Sequence, residues 1–345
     1  MWRVLGMSAL AVAGFLAASE LVFRVLPVST ATKTGFYLDP AIRSYPPNHV
    51  WTAATGWDLR NAQRLIANNV GFVSEHDFVP DARAVALIGD SFVESSMLEA
   101  RDRLGSQLER AIGPGRPVYS MGSPGTSLLD YAERVRFAQH NWGVHTFVLL
   151  VETGDLAQAL CGSGNIDGPC LDPKTLSLRQ EHHPPANWVK QAARHSALAQ
   201  YVFSQLKFDA SRLWRQAVQQ SQPAQGHKVG KASPATKAPV AAADIRMVEA
   251  VARHFFDRVG SDLAPRLVLV LDGERGSQAR PRAERQRFID LALAAGAQVV
   301  DADPIFLEHS VRSGLKLEVG PYDRHLNALG LSLIAAPVAA RLVTR

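Results

Sequence analysis

The chain has 345 residues, 47% of them hydrophobic and 20% charged, and a formal net charge of +5. This composition is that of a globular protein, long enough for one large α/β domain with an insertion or for two domains. Much of the excess positive charge comes from Lys228, Lys231 and Lys237 in a low-complexity stretch. The remaining body is close to neutral and lacks the basic stripe of a nucleic-acid-binding protein, so we predict no nucleic-acid partner.

An apolar segment follows Met1-Trp2-Arg3 and extends from Val4 to Ala18, continuing to Leu26. A short basic start before such a segment is typical of a secretory signal peptide or of an uncleaved signal-anchor. Residues 1–26 reach the ~20 residues that cross a bilayer, and no clear cleavage site follows, which favours the anchor. A buried helix of a cytosolic protein is the third interpretation. We predict a periplasmic body anchored in the inner membrane, or a secreted body if the segment is cleaved.

Residues 27–80 are predicted to be an irregular lead-in that packs on the core. The segment contains Trp51 and Trp57. Exposed tryptophan rings can stack on sugars, whereas buried ones add packing area, and we favour packing against the sheet for both.

The apolar run from Ala84 to Ile88 leads directly into Gly89-Asp90-Ser91-Phe92. A continuous apolar run of this length predicts a parallel strand that is buried on both faces. Ligands of open α/β sheets bind outside the carboxyl ends of such strands. Ser91 is therefore a candidate nucleophile, although Gly, Asp and Ser together also favour a plain turn.

Further strands are predicted at residues 117–120, 146–151, 266–271 and 297–300, with helices between them that include residues 126–140 and 282–295. Strands that alternate with helices imply a parallel sheet covered on both faces. The predicted fold class is α/β: a three-layer α/β/α sandwich with a parallel, flavodoxin-like sheet and a helical insertion, after an N-terminal membrane helix or signal. This domain is expected to span residues 81–345.

The predicted insertion covers residues 156–245 and is longer than one crossover connection needs. Its helical part, roughly residues 187–220, is interpreted as a lid or substrate platform, or as a docking surface for a partner. Residues 216–243 are rich in Gln, Ser, Pro, Ala and Lys. That composition predicts a disordered tether.

Two cysteines, Cys161 and Cys170, enclose a glycine-containing loop. We predict a disulfide between them, which contributes about 2 to 3 kcal/mol in the chain-entropy model and persists in oxidising compartments. Two cysteines without a paired histidine leave a zinc site short of ligands. We therefore predict neither a metal nor a cofactor.

The segment Asp323-Arg324-His325-Leu326-Asn327 lies near the other end of the chain. A serine nucleophile needs a histidine to take its proton and an acid to fix the tautomer of that histidine. Ser91, His325 and Asp323 supply these roles. A capping Asp and a surface His before the C-terminal helix are the simpler alternative, and Glu318 and Asp155 compete for the role of the acid.

These segments resemble the blocks of the SGNH/GDSL hydrolase superfamily over roughly residues 60–345, in particular membrane-anchored or periplasmic members that act on polysaccharide O-acetyl groups. Gly89-Asp90-Ser91 resembles the nucleophile block, whose serine N–H also binds the oxyanion. The resemblance implies that Gly125 gives a second N–H. The third block places an Asn where this chain has Gly154, so one oxyanion donor is missing at that position.

The last block departs from the commoner spacing, because Tyr322 stands three residues before His325 and Asp323 stands two before it. Asp-x-His resembles SGNH-like proteins that move acetyl groups on alginate and related polysaccharides. The resemblance implies a serine esterase or O-acetyltransferase acting on O-acetylated carbohydrate or another acyl ester. A degenerate binding or scaffold protein in polysaccharide assembly, with assembly proteins as partners, and a lipase or thioesterase remain open.

Overall fold

The structure of the chain is a computed structural model that describes residues 2–30, 33–163, 167–182, 187–206, 245–275, 282–321 and 323–343. Two compact units are present. The smaller unit is formed by Met1–Ala31, Thr52–Ala62 and Ala186–Ala242. The larger unit is formed by Thr32–Trp51, Gln63–Pro185 and Ala243–Arg345. The tether predicted at residues 216–243 lies outside the described residues.

The described strands and helices are numbered here in chain order. The strands are β1 (Gly35–Asp39), β2 (Ile42–Ser44), β3 (Val50–Ala53), β4 (Gln63–Ile66), β5 (Val85–Gly89), β6 (Val118–Gly122), β7 (Thr146–Val151), β8 (Gly168–Leu171), β9 (Leu178–Glu181), β10 (Leu267–Leu271), β11 (Gln298–Asp301), β12 (Glu318–Gly320) and β13 (Asp323–Leu326). The helices are α1 (Trp2–Val25), α2 (Ser91–Glu94), α3 (Leu104–Ile112), α4 (Leu128–Trp142), α5 (Asp155–Gln158), α6 (Trp188–Ala193), α7 (Ala197–Ala199), α8 (Ile245–Val259), α9 (Ala283–Ala294), α10 (Ala302–Arg312) and α11 (Ala328–Val343).

The larger unit is built on a five-stranded sheet in the order β11-β10-β7-β5-β6. All four strand pairs are parallel. In chain order this arrangement is 5-4-3-1-2, which is the flavodoxin-like order read from its far edge. The α/β fold class predicted from the alternating strands and helices is confirmed, and the five observed strands lie at the predicted positions to within one or two residues.

Side chains of the sheet alternate between two apolar cores, as the period-two geometry of a strand requires. Ala86 and Ile88 point to the core formed with α4, α8 and α9. Val85 and Leu87 point to the core formed with α3, α10 and α11. Burial of both faces explains why the sheet strands are continuous apolar runs rather than alternating ones.

Short two-stranded sheets lie outside the main sheet: β1 with β2, β3 with β4, β8 with β9, and β12 with β13. The β8–β9 hairpin belongs to the insertion and contains Cys170, which is disulfide-bonded to Cys161 with their Cα atoms 5.0 Å apart. The β12–β13 hairpin is antiparallel and contains Asp323 and His325.

The smaller unit contains α1 and residues 187–206, the described part of the helical segment of the insertion. Helix α1 has 24 residues and a mean hydropathy of 1.7, and none of its described residues is buried. By length and composition it is able to cross a membrane. Helices α6 and α7 and the wide helical turn Gln200–Gln205 follow one another in the insertion.

Candidate active site

Ser91 is positioned at the first turn of α2, directly after the fully buried strand β5. The preceding Asp90 caps this helix, because its Oδ1 accepts the Phe92 N–H at 2.8 Å. On the other side, Ser95 takes the left-handed conformation that ends the helix, with φ at 44°. The chain therefore leaves the sheet through a tight turn that presents the Ser91 hydroxyl at the carboxyl edge.

A glycine on the neighbouring strand allows this tight turn to pack. A Cβ atom at Gly122 would lie 2.3 Å from the backbone nitrogen of Glu94 and 2.8 Å from its Cα. Backbone atoms cannot yield as a flexible side chain can, so any larger residue at position 122 would displace α2 and with it Ser91.

Ser91, His325 and Asp323 form one hydrogen-bonded chain. The Ser91 Oγ lies 2.8 Å from the His325 Nε2, and the His325 Nδ1 lies 2.5 Å from the Asp323 Oδ1. The same carboxylate oxygen accepts the backbone N–H of His325 at 3.0 Å. Because Asp323 and His325 are two residues apart on β13, both side chains lie on one face of the strand.

Neighbouring residues hold the His325 imidazole of this hydrogen-bonded triad in place. Asp323 is buried, and the ring of Phe92 packs against the His325 ring with 4.6 Å between centroids. The Arg275 guanidinium lies over the Phe92 ring, 5.5 Å from its centroid. A buried carboxylate on Nδ1 leaves Nε2 of the neutral ring as the proton acceptor, so the geometry fits a general base for the Ser91 hydroxyl.

The two competing carboxylates are bonded elsewhere. Asp155 is buried and its Oδ2 accepts the Tyr131 hydroxyl at 2.9 Å and the Glu152 N–H at 2.8 Å. Burial raises the pKa of Asp155 well above its usual value. Glu318 lies 3.8 Å from the Arg324 guanidinium. Among the described residues, the carboxylate that accepts the His325 Nδ1–H is that of Asp323.

Strand register brings the other predicted site residues to the same edge. Gly89 pairs with Gly122, and Ile88 pairs with Leu149. Continued along the chain, this register places the turn that ends at Gly125 and the turn that contains Gly154 on either side of Ser91. Gly125 has φ at +70°, which favours glycine.

The side chains of Glu152 and Gln158 fill the space beside Gly154, which the sequence did not indicate. The Gly154 N–H donates to the Glu152 Oε2 at 2.5 Å, so this backbone donor is engaged. A Cβ atom at Gly154 would lie 2.6 Å from the Glu152 Oε2 and 2.7 Å from the Gln158 Nε2. The side-chain amide of Gln158 therefore fills the space into which an Asn at position 154 would project.

Arg134 is a site residue that the sequence analysis missed. It is fully buried in α4, and its Nη1 donates to the Gly89 carbonyl at 2.7 Å and to the Met121 carbonyl at 2.9 Å. One cation thus joins the strand end that leads to Ser91 with the strand end that leads to Gly125. A signal was present: Asp130 and Arg134 stand at i and i+4 within an otherwise apolar helix face.

Glu94 is the second missed residue, and it is the last residue of α2, the short helix that begins at Ser91. Its side chain is buried, and its Oε2 accepts the Tyr45 hydroxyl at 2.9 Å. Burial raises the pKa of Glu94 from 4.5 to about 7, against the opposing effects of the Tyr45 hydrogen bond and of the charges on His325 and Arg103. Tyr45 belongs to the lead-in, so this segment directly supports the short helix that carries Ser91.

Glu94→Gln is expected to stabilise the protein relative to the parent chain increasingly as the pH rises. In the folded protein the pKa of Glu94 is raised from 4.5 to about 7. As the pH rises between these two values, the unfolded parent chain has already released this proton while the folded chain still holds it. The free energy of unfolding of the parent therefore falls over this pH range. The full shift corresponds to about 3 kcal/mol, and a neutral glutamine avoids it. Denaturant unfolding of both proteins near pH 5 and near pH 8 measures the effect. An equal difference at both pH values would exclude this role for Glu94.

One grouping among the described residues has metal-ligand chemistry: the sulfurs of Cys161 and Cys170 and a carboxylate oxygen of Glu181 lie within 4.8 Å of one another. The two sulfurs are bonded to each other. Metal binding requires free thiolates, so this grouping is a disulfide with a neighbouring carboxylate.

Fold and site together define an α/β protein with a hydrogen-bonded Ser-His-Asp chain at the carboxyl edge of its sheet. No protein-family model matches this chain, and no curated protein sequence matches it significantly.

Some solved structures have limited similarity to this chain. A lipase/acylhydrolase from Enterococcus faecalis is 12% identical, with 76% of this chain and 96% of that chain covered and a TM-score of 0.38. LAE5, an alpha/beta hydrolase enzyme from the metagenome of Lake Arreo, Spain, is 12% identical, with 78% and 98% covered and a TM-score of 0.40. A carbohydrate acetylesterase family member from Sinorhizobium meliloti is 13% identical, with 76% and 99% covered and a TM-score of 0.35. Similarity at this level does not establish a family.

Proposed function

We propose that this protein is a serine-dependent acyl-ester hydrolase or acyltransferase, with Ser91 as nucleophile, His325 as general base and Asp323 as the acid that orients it. The observation that supports this function is the unbroken hydrogen-bonded chain from the Ser91 Oγ through the His325 ring to the Asp323 carboxylate. Each neighbouring pair is within the reach that proton transfer requires.

In the proposed reaction the Ser91 Oγ attacks the ester carbonyl while the His325 Nε2 takes the hydroxyl proton. The Asp323 carboxylate stabilises the imidazolium that forms. His325 then donates this proton to the departing alcohol, which leaves an acyl group on Ser91. Water or an acceptor hydroxyl, deprotonated by His325, attacks the acyl group in the second half and restores the serine.

The negative oxygen of the tetrahedral intermediates needs hydrogen-bond donors beside Ser91. We assign the backbone N–H groups of Ser91 and Gly125 to this role. The Gly154 N–H donates to Glu152, and the Gln158 amide fills the space beside it. We therefore propose Gln158 as the third donor, in the place of the Asn that the resemblance leads one to expect at position 154.

Gln158→Ala is expected to lower kcat by roughly 100-fold with little change in KM, because an oxyanion donor acts mainly in the transition state. Steady-state kinetics on an activated acetyl ester measure both constants. Gln286→Ala, which removes an exposed amide of the same size from α9, is the matched control and is expected to keep the parental kcat. Equal kcat values in Gln158→Ala and the parent would remove Gln158 from the proposed oxyanion hole.

We propose an O-acetylated carbohydrate as the substrate. Support comes from the Asp-x-His spacing of Asp323 and His325, which resembles proteins that move acetyl groups on polysaccharides. The triad chemistry is the same for esterase and transferase, and the acceptor decides between them. Release of acetate from an acetylated polysaccharide in water indicates an esterase, whereas acetate transfer to added polysaccharide hydroxyls indicates a transferase.

We further propose that the protein is exported and remains in the inner membrane through α1, with its body in the periplasm. The apolar helix is long enough to cross a bilayer, and the disulfide between Cys161 and Cys170 is typical of an oxidising compartment.

A second candidate function is a catalytically degenerate domain that binds or scaffolds partners in polysaccharide assembly. The observation that favours it is the Glu152 carboxylate beside Gly154, because an acceptor near the oxyanion opposes the negative charge that develops there. Hydrolysis of p-nitrophenyl acetate by the full chain distinguishes the two functions. A serine-dependent rate supports the enzyme, and a rate equal to that of buffer supports the scaffold.

A further inference from the structure

Within the smaller unit, the C-terminal end of α1, called its outer end below, is hydrogen-bonded to residues 196–198 of the insertion. The Glu20 carboxylate accepts hydrogen bonds from the Ser196 hydroxyl at 2.7 Å, the Ala197 N–H at 3.0 Å and the Leu198 N–H at 3.1 Å. Arg24 completes the arrangement with an Nε that lies 2.8 Å from the same carboxylate. The Glu20 carboxylate therefore joins the last turns of α1 to residues 196–198.

A second set of contacts continues from the next turn of α1. The rings of Phe23 and Tyr201 stack with 4.3 Å between centroids. Beyond the helix, the buried Gln205 accepts the Ser29 N–H at 3.1 Å and donates to the Gly56 carbonyl at 2.7 Å. The insertion is thus bonded both to the last turns of α1 and to the segment that follows it.

Helix geometry gives the depth of these contacts if α1 crosses a bilayer. A hydrocarbon core of about 30 Å corresponds to roughly 20 helical residues. Counted from Trp2, this length ends near Glu20, the residue that the insertion binds. The ionic pair of Glu20 and Arg24 then lies at the outer boundary, where charged groups remain hydrated. The insertion residues that contact it lie at the level of the lipid headgroups.

The exposed side chains near these contacts have the chemistry of a membrane interface. Trp188 and Val189 of α6 are 79% and 52% exposed, and Phe203 in the turn after α7 is 58% exposed. Lys190 and Arg194 lie on the same short stretch. Aromatic rings with neighbouring basic residues are typical of segments that lie in the headgroup layer of anionic bilayers.

A hydrogen bond within the insertion keeps the exposed side chains of α6 close to helix α1. The Gln200 side chain donates to the Ala193 carbonyl at 3.0 Å, which ties the end of α6 to the turn that contains Tyr201. Trp188 is the first residue of the same six-residue helix, less than two turns from Ala193. Residues 188–203 therefore stay close to the outer end of α1.

We propose that residues 188–203 form a membrane-surface element that binds the outer end of α1, retained as an anchor helix. This element inserts Trp188, Val189 and Phe203 into the headgroup layer of an anionic bilayer. Lipid is the occupant of this exposed surface. The apolar side chains enter the interface, and Lys190 and Arg194 pair with lipid phosphates. This role is independent of the ester chemistry.

The test uses the full chain carrying Val189→Cys labelled with an environment-sensitive fluorophore and reconstituted in vesicles that contain phosphatidylglycerol. Lipids with a nitroxide near the headgroup are expected to quench the label more strongly than lipids with a nitroxide near the end of the acyl chain. Intact mass of the purified protein is expected to show that residues 1–26 are retained. A label that neither lipid quenches, or a chain that has lost this segment, would overturn the proposal.

A charge variant, Lys190→Glu with Arg194→Glu, tests the headgroup contact. Its label is expected to lose quenching on anionic vesicles, while the parent loses quenching on vesicles of phosphatidylcholine alone. An unchanged melting temperature shows that the variant is folded. Quenching that is the same in parent and variant on both lipids would overturn the anionic headgroup as the occupant. Protection of the label only when a second protein is added would identify a protein partner instead and overturn the proposal.

Discussion

Ser91→Ala is expected to lower the hydrolysis of p-nitrophenyl acetate by roughly 1000-fold or more. The Ser91 hydroxyl is the one that the His325 Nε2 contacts, at 2.8 Å, and alanine leaves no atom on which an acyl group can be carried. Any residual rate in the variant would come from direct attack of water on the bound ester, assisted by the proposed oxyanion donors. Initial rates of the purified full chain in detergent measure the loss.

Ser106→Ala is the matched control for this substitution. Ser106 is a half-buried serine whose hydroxyl donates to the Ala100 carbonyl, and its loss is expected to leave the rate unchanged. Melting temperatures of both variants should remain close to that of the parent. If parent and Ser91→Ala hydrolyse the ester equally slowly, the scaffold function replaces the enzyme.

Asp323→Asn is expected to lower kcat by about 10⁴-fold while the protein remains folded. The Asp323 Oδ1 accepts from the His325 Nδ1, whereas an amide at this position can donate to Nδ1 and hold the proton on Nε2. The ring then cannot take the Ser91 proton. Steady-state kinetics of parent and variant on p-nitrophenyl acetate measure the loss.

Asp155→Asn and Glu318→Gln are the matched controls for the acid. Asp155 is buried against Tyr131 and Glu318 lies near Arg324, so both variants are expected to keep kcat within a few-fold of the parent. A parental rate in Asp323→Asn together with a collapse in either control would show that a different carboxylate serves as the acid.

The positions of Ser91, Asp323 and His325 were accessible from the sequence because each depends on local pattern. A continuous apolar run predicts a buried parallel strand, and the residues just after it must lie at the carboxyl edge of the sheet. Asp-x-His on a strand places both side chains on one face whatever the rest of the fold does. The strand positions and the α/β class followed from the same periodicity.

The supporting residues were not accessible in this way, because their roles depend on distant parts of the chain. Arg134 acts through carbonyls of two other strands, and Glu94 meets a tyrosine 49 residues earlier in the chain. Gln158 is visible as a candidate donor only once a Cβ at Gly154 is placed beside its amide. A helical pattern over residues 126–140 predicts the helix but not the carbonyls that its one buried arginine meets.

The most direct test of the proposed triad is reaction of the full chain with a fluorophosphonate probe, followed by mass spectrometry of the labelled peptide. Such probes form a covalent bond with an activated serine hydroxyl whatever the natural substrate is. The proposed triad predicts stoichiometric labelling at Ser91 that is abolished in Ser91→Ala and strongly slowed in His325→Ala. A folded chain that is not labelled, or is labelled at another serine, would contradict the assignment of Ser91 as an activated nucleophile.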